Sequence, residues 1–216
     1  TALGCKALDE NTSGGQNTAV GDHALDNNTT ASYNTAVGYI SLETNTTGEY
    51  NTAIGAESLE ANTTGAHNTA LGMSPLHVNT TGANNTALGS NALVTNTTGS
   101  DNVAVGFECL SGNTTASNNT AVGRRALYLN TTGLHNQAVG NYALQQCTTG
   151  SYNIGLGYNT LGGVTTQNYN IAIGDAALEA CTGSNNTAVG YNALYANTTA
   201  SSNTAVGFES MESNTT

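Results

Sequence analysis

Hydrophobic and polar residues follow one pattern along this chain, and the pattern returns every 17 residues. The repeat reads Asn-Thr-Ala-Val-Gly-x-x-Ala-Leu-x-x-Asn-Thr-Thr-Gly-x-x, and we number its positions as columns 1 to 17 from the first Asn. Column 1 is always Asn, column 5 is always Gly, and column 9 is Leu until Met211. A fixed period of this length predicts a solenoid in which each repeat forms one coil, here called a rung.

Columns 2 to 4 are the strand candidate, because recurring Gly and β-branched residues disfavour a helix. Column 2 is usually Thr but changes to Val103, Ile154 and Ile171, and column 4 is always Val, Ile or Leu. Alternate residues of a strand share a face, so we assign columns 2 and 4 to the core and column 3 to the outside. Columns 8 and 9 (Ala-Leu) predict a second short strand, and Gly at columns 5 and 15 predicts turns with positive φ.

These patterns predict an all-β fold. We expect a parallel β-solenoid (β-roll or β-helix) with one 17-residue coil per repeat and about 13 coils, forming a single repeat array over residues 1–216. The repeat from Asn170 to Asn185 has only 16 residues, a change that a turn can absorb. The array starts in column 2 and stops in column 14 without capping segments, so we expect a piece of a longer array, or ends that meet other domains or chains.

Column 3 is restricted to Ala, with Gly155 as the exception. A free outer surface would accept larger polar residues, so a small column suggests that something packs against it. Either a neighbouring loop of the same chain or a second subunit fits this pattern. The candidate interface residues are Ala19, Ala36, Ala53, Ala70, Ala87, Ala104, Ala121 and Ala138.

Asn residues in columns 1 and 12 predict ladders of side-chain hydrogen bonds between successive rungs. Column 12 also contains Asn-x-Thr sequons, but it changes to Cys147, Val164 and Cys181, which favours a buried ladder over glycosylation. Four other sequons lie in variable columns and are better placed to carry sugar. These glycosylation candidates are Asn27, Asn84, Asn118 and Asn185.

The chain has a formal net charge of −11 and only three Lys and Arg residues. This balance disfavours nucleic acid and anionic membranes as partners. No run of about 18 apolar residues is present, so no membrane span is expected. Only 8% of residues are charged, yet the fixed apolar columns argue against disorder.

No pattern of residues predicts catalysis, a cofactor or a metal, and we expect a protein that is not an enzyme. Cys147 and Cys181 share a column but lie two rungs apart, roughly 10 Å from each other, which is too far for a disulfide. The four His residues fall in scattered columns. Column 10 holds Asp9, Asp26, Glu43 and Glu60 on successive rungs; a row of calcium ions is one interpretation, and a solvated acidic edge is the favoured one.

The repeat, as in Asn17-Thr-Ala-Val-Gly21 and Ala24-Leu25, resembles repeats of bacteriophage tail-fibre-like proteins, which often precede a self-cleaving chaperone domain. It is also similar to the shorter Asn-Ser-Val-Ala-Ile-Gly repeat in the head of trimeric autotransporter adhesins. The resemblance covers the whole chain and implies a left-handed parallel β-roll assembled as a trimer.

The expected function is therefore a structural segment, the shaft or spacer of a phage tail fibre or surface adhesin. It would be extracellular, on a cell surface or on a virion, and would assemble with itself as a homotrimer or an end-to-end filament, with a host receptor or glycan as a possible further partner. Two alternatives remain. One is a glycosylated extracellular filament, and the other is an ice-binding solenoid that uses the Thr residues of column 13, from Thr12 to Thr215.

Overall fold

The computed structural model describes residues 1–214 and consists of thirteen short parallel β-strands joined by turns. The part of the chain that it describes contains no helix. The expected all-β, parallel β-solenoid fold with one coil per repeat is confirmed. Thr215 and Thr216, the last members of columns 13 and 14, lie outside the described residues.

The chain divides into two compact units, Thr1–Glu108 and Cys109–Thr216, of which the second is described up to residue 214. The first unit contains the strands β1 (Ala2–Leu3), β2 (Thr18–Val20), β3 (Thr35–Val37), β4 (Thr52–Ile54), β5 (Thr69–Leu71), β6 (Thr86–Leu88) and β7 (Val103–Val105). The second contains β8 (Thr120–Val122), β9 (Gln137–Val139), β10 (Ile154–Leu156), β11 (Ile171–Ile173), β12 (Thr187–Val189) and β13 (Thr204–Val206).

Within each unit, every strand pairs in parallel with the strand of the next repeat. The register places each column on itself, as in Thr18↔Thr35, Ala19↔Ala36 and Val20↔Val37. The 16-residue repeat keeps this register, since Ala172 of β11 still pairs with Ala188 of β12. The missing residue is therefore absorbed in the turn, as expected from the tolerance of turns to length changes.

The two faces of the strand are the reverse of the sequence prediction. Column 3 points into the coil, and columns 2 and 4 point outward with half-buried or exposed side chains. A Cβ built on Gly155 would lie near Leu144 and Thr160, so column 3 faces the column 9 Leu and the column 8 residue inside the coil. The interior is narrow, and Ala fits where Val would not.

The proposed interface residues therefore lie in the core of one chain, and their side chains form no surface for a second subunit. The structure buries completely Ala19, Ala36, Ala53, Ala70, Ala87, Ala104, Ala121 and Ala138. Column 3 is restricted to small residues because its side chains lie inside the coil. The rest of the core consists of the column 9 Leu, the small residues of column 8 and the Asn of columns 1 and 12.

The predicted second strand at columns 8 and 9 is also wrong, because this segment is a turn. The column 9 Leu has a left-handed φ between 51° and 57°, and the residue of column 7 is left-handed as well. A left-handed Leu costs about 1–2 kcal/mol, while burying its side chain contributes roughly 1.5–3 kcal/mol. Because these Leu side chains are fully buried from Leu25 to Leu194, burial offsets the cost of the backbone.

Positive φ is confirmed for the Gly of column 5, with values between 124° and 142°. A Cβ built on Gly21 would overlap the carbonyl oxygen of Gly38 on the next rung, so this column has no room for another residue. The prediction is wrong for the Gly of column 15, which does not have positive φ. The left-handed residue of that turn is the one in column 17, such as Tyr33 or Asn84.

Candidate functional surfaces

Columns 2 and 4 of the strands form an outward surface, which we call the outer sheet face. Column 4 contributes one aliphatic side chain per rung, and neither column contains a charged residue. Several of these side chains are 38–71% exposed: Leu3, Ile54, Leu71, Val139, Ile173 and Val206. A regular aliphatic row that faces solvent is a feature of an interaction surface.

Both Asn columns form the expected ladders inside the coil. In column 1, the Asn34 Oδ1 accepts a hydrogen bond from the Asn51 N–H at 2.8 Å, and the Asn34 Nδ2 donates to the Gly48 carbonyl at 2.9 Å. In column 12, the Asn62 Nδ2 donates to the Asn45 Oδ1 at 2.8 Å. These side chains connect rungs and satisfy turn carbonyls, which is what buried amides require.

Burial separates the sequons as expected. The column 12 Asn are fully buried on most rungs and are not accessible to a glycosylating enzyme. All four glycosylation candidates, Asn27, Asn84, Asn118 and Asn185, are exposed. The Asn84 Nδ2 donates to the Asp101 Oδ1 at 3.1 Å on the surface.

The Thr hydroxyls of column 13 bond to the backbone between rungs. The Thr46 Oγ1 donates to the Thr63 carbonyl at 3.0 Å, and the Thr63 Oγ1 donates to the Thr80 carbonyl at the same distance. The side chains are half-buried on these rungs. A hydroxyl that donates to the backbone of the next rung does not present that proton to ordered water, so these rungs lack the free hydroxyl array that the ice-binding interpretation needs.

Aromatic side chains of column 17 stack on one another along the rungs. Tyr33, Tyr50 and His67 form one stack with ring centroids 4.7 and 4.9 Å apart, and their planes are within 4° of parallel. His135, Tyr152 and Tyr169 form a second stack with separations of 4.9 and 5.1 Å. All six rings are exposed.

All four cysteines are free, and only Cys5 is exposed. Burial raises the pKa of the Cys147 thiol to about 12, and a backbone hydrogen bond at Gly150 offsets this increase only in part. Burial also raises the pKa of Cys181. These thiols fill the Asn positions of column 12 and are poor nucleophiles, because the thiolate is disfavoured there.

Column 10 is more buried than a solvated acidic edge. Asp26 is 7% exposed, and Glu43 and Glu60 are half-buried. Burial raises the pKa of Glu60; the nearby His77 lowers it, and the charges of Glu43 and Glu57 raise it further. Carboxylates and His residues from different columns thus lie close together in the structure.

Two groups of three side chains form in this region, His23–Asp26–Glu43 and Glu57–Glu60–His77. In each group, the possible ligand atoms lie within 4.8 Å of one another. The sequence contained a signal for them: each group combines column 7, column 10 and column 10 of the next rung, so its members are separated by 3 and 17 residues. This spacing indicates proximity only when the register that stacks each rung on the next is known.

No pocket is found among residues 1–214. Within the same residues, no helix is long and apolar enough to cross a membrane. Comparison with protein-family models finds no matching family. No curated protein and no solved structure matches the chain.

Proposed function

We propose that this chain is a structural, non-catalytic segment that forms the shaft or spacer of a phage tail fibre or a surface adhesin. It would act outside the cell, on a cell surface or on a virion, and position a part of the assembly that binds a host receptor or glycan. The observation that supports the proposal is the outer sheet face, which repeats one uncharged aliphatic stripe from rung to rung. A repeated surface of this kind is suited to a shaft or spacer, whose role depends on its length.

The partner for this face in the proposal is a second copy of the same chain. The chain carries a net charge of −11, so two copies repel each other over most of their surfaces. The outer sheet face has no charged residue in columns 2 and 4, and it offers apolar area to bury. It is the face where self-association meets the least repulsion and gains the most from burial. The repeat's resemblance to trimeric adhesin heads makes a homotrimer the proposed assembly.

The test is the mass of the native chain in solution, measured by light scattering coupled to size-exclusion chromatography. We expect the wild-type mass to be a multiple of one chain, and the double variant Ile54→Glu with Leu71→Glu to fall to the mass of one chain. The matched control is Thr64→Glu with Thr81→Glu, which places the same charges on exposed side chains of the same two repeats and should keep the oligomer. A wild-type monomer, or an unchanged mass for the double variant, would contradict self-assembly through this face.

A glycosylated filament is the second candidate, supported by the exposure of all four candidate sequons. Sugar on Asn27, Asn84, Asn118 and Asn185 would coat turns and leave the outer sheet face free. Intact-mass spectrometry of the chain purified from its natural source tests it. Mass additions that disappear in the corresponding Asn→Gln variants support glycosylation, and the bare polypeptide mass excludes it.

A further inference from the structure

The two His–carboxylate groups of the first unit share one construction. Each lies on two adjacent rungs and supplies one imidazole and two carboxylates with ligand atoms within 4.8 Å of one another. His23 occupies column 7 in one group, and His77 occupies column 10 of the following rung in the other. Both groups are continuous with the row formed by Asp26, Glu43 and Glu60 in column 10.

In the first group, the imidazole is held in a defined orientation. The His23 Nδ1 lies 3.0 Å from the Asp22 Oδ1, and a carboxylate only accepts, so the Nδ1 carries the proton of this hydrogen bond. The His23 Nε2 then faces the Asp26 Oδ2, 3.9 Å away. Asp26 is 7% exposed, and its side chain makes no hydrogen bond within residues 1–214. A cation placed between the His23 Nε2 and the Asp26 carboxylate would contact both groups.

In the second group, the polar atom that lacks a hydrogen-bond partner belongs to the imidazole. The His77 Nδ1 is buried and makes no hydrogen bond, although the Glu60 Oε2 lies only 3.3 Å away. The remaining ligand is oriented from outside the group, because the Ser74 Oγ donates to the Glu57 Oε2 at 2.8 Å. A buried nitrogen that makes no hydrogen bond is unfavourable, and a bound cation would coordinate it.

We propose that each group binds one divalent transition-metal ion, with Zn²⁺ as the fitting ion. An imidazole together with two carboxylates suits zinc, whereas calcium prefers oxygen ligands alone. The Asp22 carboxylate behind His23 matches the partner that metal-binding imidazoles use to fix their tautomer. Bound ions would link adjacent rungs and neutralise the charges that crowd column 10. This proposal is independent of self-assembly.

Equilibrium dialysis of the full chain against ZnCl₂, with the metal measured by mass spectrometry, tests the stoichiometry. We expect two Zn²⁺ per chain and an increase in Tm on binding, because a ligand that binds only the folded state stabilises it. His23→Gln and His77→Gln should each lose one equivalent, and the double variant should lose both. His67→Gln with His135→Gln is the control, since these rings lie in the exposed aromatic stacks.

Asp22→Asn separates a positioning role from a purely structural one. It should weaken binding at the first site about 10-fold or more and leave the Tm of the metal-free chain unchanged. Co²⁺ provides a second readout, because its visible absorption changes when protein ligands replace water around the ion. Two results would overturn the proposal: zinc retention by the wild type that does not exceed that of the double variant, or calcium bound in the same amount and with the same affinity as zinc.

Discussion

At the scale of single residues, the Asn ladders carry the most specific stabilisation. The Asn68 Oδ1 accepts from the Asn85 N–H at 3.0 Å, and the Asn68 Nδ2 donates to the Gly82 carbonyl at 2.9 Å. Asn68→Ala leaves both buried groups unpaired, so we expect a loss of roughly 2–4 kcal/mol in the free energy of unfolding, measured by urea titration. Asn27→Ala, at an exposed Asn, should stay within about 0.5 kcal/mol of wild type; equal losses would contradict the role of the ladder.

Gly21 tests the backbone demand of column 5. Its φ is 138°, and a Cβ would overlap the Gly38 carbonyl oxygen, so Gly21→Ala should destabilise by about 3 kcal/mol or more. The control is Gly15→Ala, because Gly15 is exposed and a Cβ there would touch nothing within 4 Å. Thermal unfolding of both variants gives the comparison. A similar Tm for the two variants would show that the coil adapts to a side chain at column 5.

Thiol labelling tests burial residue by residue. Native chain treated with iodoacetamide near pH 8 should label Cys5 alone, since Cys109, Cys147 and Cys181 are buried. The pKa of Cys147, about 12, keeps this thiol protonated under these conditions. In urea, all four cysteines should react. Peptide mass spectrometry identifies the labelled sites, and fast labelling of Cys147 in the native chain would contradict the buried position of column 12.

Glu60 makes the metal-free chain sensitive to pH. Burial raises its pKa above 4.5, so the folded chain holds this proton to a higher pH than the unfolded chain does. Stability is therefore lost as the pH rises through the folded pKa. In the presence of a chelator, Glu60→Gln should have a higher Tm than wild type at pH 7, and the difference should shrink below pH 4.5. A difference that is equal at both pH values would contradict this cause.

At the scale of the strand, the sequence predicted the three residues and their alternation but not their direction. The period of two separates column 3 from columns 2 and 4, and it does not say which side faces inward. Val and Leu in column 4 favoured the wrong answer, because the narrow coil excludes β-branched side chains and accepts Ala19 or Ala36. The left-handed Leu of column 9 could not be predicted either, since its backbone cost is offset only by burial.

Adjacent residues of β5 test the assignment of the two faces. Ala70→Glu places a charge inside the coil and should prevent folding of the rung, because a buried unpaired charge costs several kcal/mol. Leu71→Glu places the same charge on the outer sheet face, where Leu71 is 47% exposed. It should change the free energy of unfolding of the single chain by less than about 1 kcal/mol. Circular dichroism during heating distinguishes the two variants. If Leu71→Glu were the more destabilising, column 4 would face the core and column 3 the solvent, as the sequence alone predicted.

At the scale of the whole chain, the repeat allowed the fold to be predicted from the sequence but not the candidate metal sites. The tandem copies of the 17-residue repeat define one coil and the register between coils, and the structure agrees with both. The His–carboxylate groups depend on residues that the repeat does not conserve from rung to rung, such as His23 and His77. Their proximity follows only when column 10 of one rung is placed beside columns 7 and 10 of the rung before it, which no single repeat shows.

The charge of the whole chain makes its assembly sensitive to salt in a direction that identifies the interface. With a net charge of −11 and an uncharged outer sheet face, copies repel at long range and attract through apolar contact. Salt screens the repulsion over about 10 Å at 0.1 M and leaves the apolar contact intact. Sedimentation equilibrium at 10 mM and 300 mM NaCl, with a chelator present, should therefore show tighter association at the higher salt. Weaker association at high salt would mean that ion pairs hold the copies together, and the interface would then have to lie outside columns 2 and 4.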